Sequence, residues 1–273
     1  MTQRLALSRP RALLVALLAA LALAPREPAA QTPVDPTPES RRPTSAGVDY
    51  TYSNFGDDID PWHLLAVSVG ERTRLGSLIG RVNYANRFDS NGVQVEADAY
   101  PRIAEGAYAY LNAGYSRADI FPEWRFGAEV FTSLPAAWEA SAGARQLRFE
   151  SSTVTLYTGS VGKYVGNYWF SLRPYVRPKD GSLSASASLT ARRYFEDATH
   201  YVGARVGYGS TPSDRLTPNE LARTQSFSAS VQGARRIAPR VYSTGSLGYD
   251  REELGPDRTR NRVELSAGVS VDL

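Results

Sequence analysis

The fold class is decided by the last eleven residues of the chain, which are Val263-Glu264-Leu265-Ser266-Ala267-Gly268-Val269-Ser270-Val271-Asp272-Leu273. Apolar residues occupy every second position, and Glu, Ser, Gly or Asp stands between them. Successive side chains of an extended strand point to opposite faces, so this period of two predicts a β-strand with one apolar and one polar face.

The same residues resemble the last-strand signal that bacterial barrel-assembly machinery binds. In this sequence the pattern places a polar residue at Ser266, glycine at Gly268 and apolar residues at Val271 and Leu273. The commonest form ends in Phe, where this chain has Leu273. The resemblance implies an outer-membrane protein that the assembly machinery recognises through these residues.

The period of two continues upstream through the chain. It is clearest in residues 93–99, 124–130 and 183–191, and it predicts about 14 strands of roughly 9 to 13 residues. Alternation is weak in residues 47–55 and 152–177, which leaves 12 strands as the alternative. Turn residues separate the segments, at Asn91-Gly92, Pro101, Pro135, Pro178-Lys179-Asp180-Gly181, Pro212, Pro239 and Gly255-Pro256.

Strand length and the polar face favour a transmembrane barrel over a soluble β-sandwich or lipocalin-like barrel. Strands of soluble proteins average about five to six residues, whereas a tilted crossing of the bilayer needs about ten. The second face carries mainly Ser, Thr, Gly, Gln and charged residues, which suit a wet lumen rather than a dry core. Aromatic residues near segment ends predict interfacial girdles; they are Trp62, Tyr100, Tyr115, Trp124, Trp138, Phe149, Tyr168, Phe195 and Tyr249.

The N-terminus predicts export. Arg4, Arg9 and Arg11 precede an apolar run over 12–24, and small residues stand before Gln31, so residues 1–30 are predicted to be a signal peptide. Residues 31–45 are Pro-rich and predicted to be a disordered lead-in, and residues 46–273 are predicted to form the barrel. Without residues 1–30 the chain has 27 basic and 27 acidic residues, so its charge gives no support for nucleic-acid binding.

Composition excludes several kinds of site. The chain has no Cys and two His, which excludes disulfides, thiolate nucleophiles, and zinc sites rich in Cys or His. The mean hydropathy of −0.34 disfavours a helical membrane protein. No cofactor is predicted, since the run Gly159–Lys163 lacks the spacing of a phosphate-binding loop.

Several segments in the middle of the chain resemble the YaiO family of outer-membrane β-barrels. They are Asn83-Tyr84-Ala85-Asn86-Arg87-Phe88, Val95-Glu96-Ala97-Asp98-Ala99-Tyr100-Pro101, Trp138-Glu139-Ala140-Ser141-Ala142-Gly143, Thr158-Gly159-Ser160-Val161-Gly162-Lys163-Tyr164, Asn167-Tyr168-Trp169 and Arg192-Arg193-Tyr194-Phe195. The similarity covers residues 47–273 and implies a barrel in the outer membrane. In relatives the barrel can follow tetratricopeptide repeats, which implies a role in surface-polysaccharide traffic, but this chain has a short Pro-rich lead-in instead.

Two further groups of residues could form a functional site, but each has a simpler structural interpretation. An outer-membrane enzyme acting on lipid would have to use His63 or His200, and neither stands in a catalytic motif. Asp57, Asp58 and Asp60 offer carboxylates to Ca²⁺ or Mg²⁺, but a solvated acidic loop is the favoured interpretation. We therefore predict neither an enzyme nor a metal site.

The polar face of strands three to nine predicts a cluster of charges in the lumen. Alternation assigns both signs to it, with Arg81, Arg125, Arg145 and Arg173 facing Glu96, Asp98, Glu129 and Glu139. Unpaired charges in a confined lumen are costly, so we expect these groups to pair and to narrow the barrel. A porin eyelet would also carry opposite charges, which leaves transport open.

Two functional classes follow from these features. The protein is either a narrow or plugged conduit for a surface glycan or small solute, or a structural outer-membrane protein without transport. Aromatic residues available to stack on sugar rings are Tyr108, Tyr110, Trp169, Tyr175 and Tyr201. The expected partners are outer-membrane lipid and lipopolysaccharide, the assembly machinery and a surface glycan.

Overall fold

The structure is a computed structural model, and it describes residues 44–56, 59–179, 182–210, 225–255 and 258–273. The predicted signal peptide and most of the predicted lead-in lie outside the described residues. The first strand begins at Thr44, two residues before the predicted start of the barrel. In the part of the chain that the structure describes, no helix is long and apolar enough to cross a membrane.

Antiparallel strands form one closed barrel, which confirms the predicted fold class and the count of 14 rather than 12. Each strand pairs with its neighbours in the chain, and the last strand pairs with the first, so no sheet edge is left open. The strands are β1 (Thr44–Asn54), β2 (Trp62–Thr73), β3 (Gly76–Arg87), β4 (Ser90–Ala104), β5 (Ala107–Ser116), β6 (Trp124–Leu134), β7 (Trp138–Arg148), β8 (Thr153–Val165), β9 (Tyr168–Lys179), β10 (Ser182–Tyr194), β11 (Tyr201–Gly209), β12 (Gln225–Ala238), β13 (Val241–Gly255) and β14 (Arg258–Asp272).

The two ends of the barrel differ in their connections. At the end where β1 begins and β14 ends, here called the terminal end, five of the six connections are of two or three residues, the longer one being 195–200. The opposite end, here called the loop end, holds the longest connections, 55–61, 117–123 and 210–224. Outer-membrane barrels have short periplasmic turns and longer extracellular loops, so we assign the loop end to the outside.

Two positions that were predicted to be turns, Asn91-Gly92 and Pro101, lie inside β4, so both predictions were wrong. The β3–β4 hairpin turns at Phe88 and Asp89, whose φ angles of 53° and 57° suit a two-residue turn of type I′. The Phe88 ring packs edge-on against Trp62 at 4.5 Å, which favours a turn here over one at Asn91-Gly92. Pro101 also continues the strand and pairs with Gly76, just before a register shift between Arg102 and Ala104.

Gly92 has a different role from the predicted one. A Cβ on Gly92 would lie 2.2 Å from Cβ of Ala118, so glycine is needed where the connection 117–123 packs against β4. Ile120 and Phe121 of this connection are buried against Ala85, and Leu64 packs beside them. The connection therefore folds inward over β2–β4 and covers part of the loop end.

The outward face is apolar around the barrel. Side chains such as Val67 and Leu265 are about half exposed, as expected where lipid replaces protein contacts. Trp124 near the loop end and Trp138 near the terminal end are also exposed, in agreement with the predicted girdles. Three predicted girdle residues, Trp62, Tyr100 and Phe149, follow the interior alternation instead, and Trp62 and Phe149 are buried.

Candidate functional site in the barrel interior

The alternation of β3–β9 turns the eight predicted charged residues toward the interior, where most of them form two clusters. In the first, Glu96 of β4 accepts from Nη1 of Arg81 at 3.1 Å and from Nη1 of Arg125 at 2.7 Å. Asp98 lies 3.3 Å from Nη2 of Arg81 and accepts a hydrogen bond of 2.6 Å from the Asn112 amide. Both carboxylates are therefore held by cations and neutral donors on strands β3, β5 and β6.

Gly114 makes the contact between Arg125 and Glu96 possible, although β5 lies between their strands. It lies on β5, between Arg125 of β6 and Glu96 of β4. A Cβ on Gly114 would come within 2.7 Å of Cγ of Arg125 and 3.2 Å of Cγ of Glu96. The missing side chain leaves the path over which Arg125 crosses the strand to reach Glu96.

The second cluster surrounds Glu129 of β6, which is 2 % exposed. Its Oε1 accepts from Nη1 of Arg173 at 2.7 Å and from the Ser141 hydroxyl at 2.6 Å, and its Oε2 lies 3.5 Å from Nη2 of Arg145. The Arg173 guanidinium also reaches the Thr158 hydroxyl at 3.3 Å. The carboxylate of Glu129 therefore links β6, β7 and β9 on the inner face of the barrel.

Glu139 stands apart from both clusters. It lies on β7 toward the terminal end, opposite Gly162, beside the Trp169 indole and within electrostatic reach of Arg173. The other seven predicted charged residues are here called the charged wall; they are Arg81, Glu96, Asp98, Arg125, Glu129, Arg145 and Arg173.

The five predicted stacking residues also face the interior, but they lie in different surroundings. Tyr110 and Tyr175 line an interior cavity. Tyr108 is stacked on Phe131, with ring centroids 4.8 Å apart. The remaining two, Trp169 and Tyr201, lie near the terminal end and pack on one arginine.

That arginine is Arg192 of β10. Its guanidinium carbon lies 4.1 Å from the Tyr201 ring centroid, 5.4 Å from that of Trp169 and 5.8 Å from that of Tyr194. Since Arg192 occupies faces of Trp169 and Tyr201, these two residues offer a sugar less stacking surface than their sequence positions indicate. The group is here called the aromatic cluster, and it narrows the interior at the terminal end.

The opposite side of the interior carries small polar side chains. Small residues on the inner face of β10–β14 that line the cavity are here called the serine wall; they are Ser186, Ser188, Gly207, Ser228, Ser230, Ser246, Gly248 and Ser266. The cavity has a volume of about 710 Å³ and runs between this wall and the first charge cluster, with Phe121 and Pro122 at its loop end. Its lining does not include Tyr108, Trp169, Arg192 or Tyr201.

Several interior charges on β11, β13 and β14 were not predicted, because the alternation used for the prediction covered strands three to nine only. Arg260 donates to Glu252 at 2.7 Å, and Arg262 pairs with Asp250 at 3.0 Å, near the loop end of β13 and β14. Arg205 of β11 lies beside the serine wall. The same alternation, continued over residues 201–209, 241–255 and 258–266, places all of these charges inside.

The two histidines lie far apart in the fold. His63 is on the outward side near the loop end, where Nδ1 lies 2.6 Å from the Tyr50 hydroxyl. His200 is in the connection 195–200 at the terminal end, 3.9 Å from Glu196. Within the described ranges neither imidazole contacts a serine hydroxyl, and no group of three or more metal-ligating side chains is found. Asp57 and Asp58 lie outside the described residues.

The C-terminal residues that resemble the assembly signal lie on β14, which closes the barrel. Ser266 pairs with Thr51 of β1 and Gly268 pairs with Asp49. Both positions lie on the interior face of β14. Val271 and Leu273 alternate to the outer face, where Leu273 is exposed.

Comparisons with known proteins agree with this architecture. A family model described as the YaiO membrane beta barrel domain matches residues 43–214. No relative was found among curated proteins.

Solved structures with a similar fold are outer-membrane barrels. A bacterial polysaccharide outer membrane secretin is 8 % identical with a TM-score of 0.59, over 86 % of this chain and 100 % of that chain. The CymD monoaromatic hydrocarbon channel is 9 % identical with a TM-score of 0.54, over 86 % and 90 %. Omp33 of Acinetobacter baumannii is 10 % identical with a TM-score of 0.52, over 85 % and 99 %. At these identities the likeness concerns the fold alone.

Proposed function

The chain belongs to the YaiO membrane β-barrel family, and from this premise we propose that it is a narrow outer-membrane channel that admits small polar solutes from the loop end. A surface glycan or a fragment of one is the preferred solute class. The protein is an outer-membrane β-barrel with the architecture of porins and channels.

The observation that carries the proposal is the cavity of about 710 Å³ beside the serine wall. This volume lies in the range of small-molecule sites, about 300–1,000 Å³. Serine hydroxyls both donate and accept hydrogen bonds, so the wall can replace water around a polar solute. Tyr110 and Tyr175 give the same cavity two aromatic side chains.

The charged wall and the aromatic cluster support a narrow lumen. Barrels of about eight strands are filled by side chains and those of about 16 are open, so at 14 strands the interior side chains decide the outcome. Here large charged side chains extend over neighbouring strands on the inner face and bond to one another. We therefore expect a small conductance.

Planar-bilayer recording together with liposome swelling tests this function. We expect small single-channel currents, and swelling in glucose that is much slower in a trisaccharide. A large, steady conductance with rapid trisaccharide entry would contradict the narrow channel.

The aromatic cluster favours a second candidate, a structural barrel without transport. If Arg192 and its three rings seal the terminal end, neither current nor swelling will be observed. Replacing Arg192 and Trp169 with Ala would then open a current that the wild type lacks, which separates a sealed barrel from one that failed to insert.

Lipid-modifying activity has less support than either candidate, since His63 contacts Tyr50 on the outer face and, among the described residues, no serine.

For assembly, we propose that the barrel-assembly machinery recognises Ser266, Gly268, Val271 and Leu273. Deletion of Val271–Leu273 should then lower the yield of folded barrel in cells.

A further inference from the structure

Charges of both signs line the cavity. The lining includes five arginines and four carboxylates, which are Arg81, Arg87, Arg125, Arg205, Arg262, Asp49, Glu96, Asp250 and Glu264. Two further carboxylates outside the lining, Asp98 and Glu252, lie within 4.0 Å of Arg81 and Arg262.

Arg205 differs in its contacts from Arg81, Arg125 and Arg262. Arg81 and Arg125 both bind Glu96, and Arg262 binds Asp250. Arg205 donates from Nη2 to the Ser188 hydroxyl at 3.0 Å, and within the described residues no carboxylate lies within 4.0 Å of it. A guanidinium has five N–H donors, so most of those of Arg205 remain for another acceptor.

The surroundings of Arg205 are open and rich in hydroxyl groups. Gly203 and Gly207 flank it on the interior face of β11. Its register partners are Thr190 of β10 and Ser230 of β12, and Ser188 is the next interior residue of β10. No bulky side chain on these positions blocks an approach to the guanidinium. A carboxylate is the group whose planar pair of oxygens matches the donor fork of arginine.

We infer that the cavity binds a sugar acid, a saccharide that carries a carboxylate, with the carboxylate on Arg205 and the hydroxyls on the serine wall. A neutral sugar would leave Arg205 without an anion. A simple anion would leave the serine hydroxyls unused. The inference rests on the proposed channel function for the route by which the ligand enters.

Binding is tested apart from transport, by saturation-transfer NMR and calorimetry on the full chain in detergent. The probes are glucuronate, glucose and acetate, since glucuronate differs from glucose by a carboxylate and from acetate by the sugar ring. We expect glucuronate to bind at least tenfold more tightly than either of the other two. Arg205→Gln should remove that preference, and Arg205→Lys should keep part of it because the charge remains without the planar fork.

Arg251→Gln is the matched control, since this exposed arginine of β13 alternates to the outer face, and it should leave binding unchanged. Heat-modifiable migration on gels verifies that each variant is folded. Equal binding of glucose and glucuronate, equal binding of acetate and glucuronate, or an unchanged preference in folded Arg205→Gln would each overturn the inference. Glucuronate binding without liposome swelling would uphold the site and reject the channel, and swelling without binding would do the reverse.

Discussion

The charged wall and the serine wall belong to the same sheet, yet they use the barrel interior in opposite ways. On the charged wall, Arg125 and Arg173 extend across neighbouring strands and end on buried carboxylates. On the serine wall, side chains of two heavy atoms or fewer leave the volume that forms the cavity. The outer faces of both walls are apolar, so the two walls differ in the size and charge of their inner-face residues.

The two walls also differ in their expected contributions to stability and to solute passage. Glu129 accepts from three side chains on β7 and β9, so the charged wall depends on its partners being complete. Ser228, Ser230 and Ser246 have no side-chain hydrogen bond to another described residue, so they contribute little to tertiary stability. Changes on the first wall should therefore affect stability, and changes on the second should affect solute passage.

The largest expected effect is the loss of two arginines from the charged wall. Replacing Arg81 and Arg173 with Ala leaves Glu96 with Arg125 alone, and Glu129 with Arg145 and the Ser141 hydroxyl. Breaking a buried ion pair costs about 3 kcal/mol, less where water reaches the carboxylate, so the unfolding free energy in detergent should fall by about 2–4 kcal/mol. Any current should become more cation-selective because two lumen cations are gone.

Arg251→Ala serves as the control for that variant, since it removes an outward arginine. Unfolding is measured by heat-modifiable gel migration and circular dichroism, and selectivity by reversal potentials across a salt gradient. A double variant as stable as wild type, with the same selectivity, would show that the two walls do not differ in the way described.

A smaller effect is expected where the connection 117–123 narrows the charged side. Gly92→Val would place a side chain against Ala118, and overpacking of this kind costs about 1–3 kcal/mol. The connection should move out of the lumen and expose Ile120 and Phe121. Increased conductance with faster proteolysis in the connection would support this, while Gly80→Val, at a position with open space around it, should change neither.

Ser230→Trp is expected to affect function with little effect on stability. The indole would enter the cavity from the serine wall and reduce its free volume. We expect glucose-driven liposome swelling to fall severalfold, and the midpoint of thermal unfolding to stay near that of the wild type. Val231→Trp adds the same bulk on the outer face of β12, and swelling at wild-type rates in that variant is the matched control.

The fold and the polarity of each face were predictable from the sequence because a period of two is a local property of each strand. The pairing of Arg81 with Glu96 was expected from neighbouring strands, although the hairpin turns at Phe88 and Asp89 rather than at Asn91-Gly92. The division into two walls was not predicted, since it depends on which strands lie opposite each other after the barrel closes. The role of Gly92 was not predictable either, because Ala118 belongs to a connection whose sequence has no periodic pattern.

The smallest effect is expected when hydroxyls are removed from the serine wall. In the triple variant S228A/S230A/S246A the three Cβ atoms and the cavity remain, and no described hydrogen bond is lost. Substitutions away from bonded or close-packed features usually change stability by about 0.5 kcal/mol or less, so the unfolding free energy should be unchanged within that limit. Glucose entry should slow modestly, because a polar solute would lose hydroxyl partners that replace its water. A loss of stability above about 2 kcal/mol would mean that these hydroxyls belong to a structural network bridged by bound water, and that the serine wall stabilises the barrel as the charged wall does.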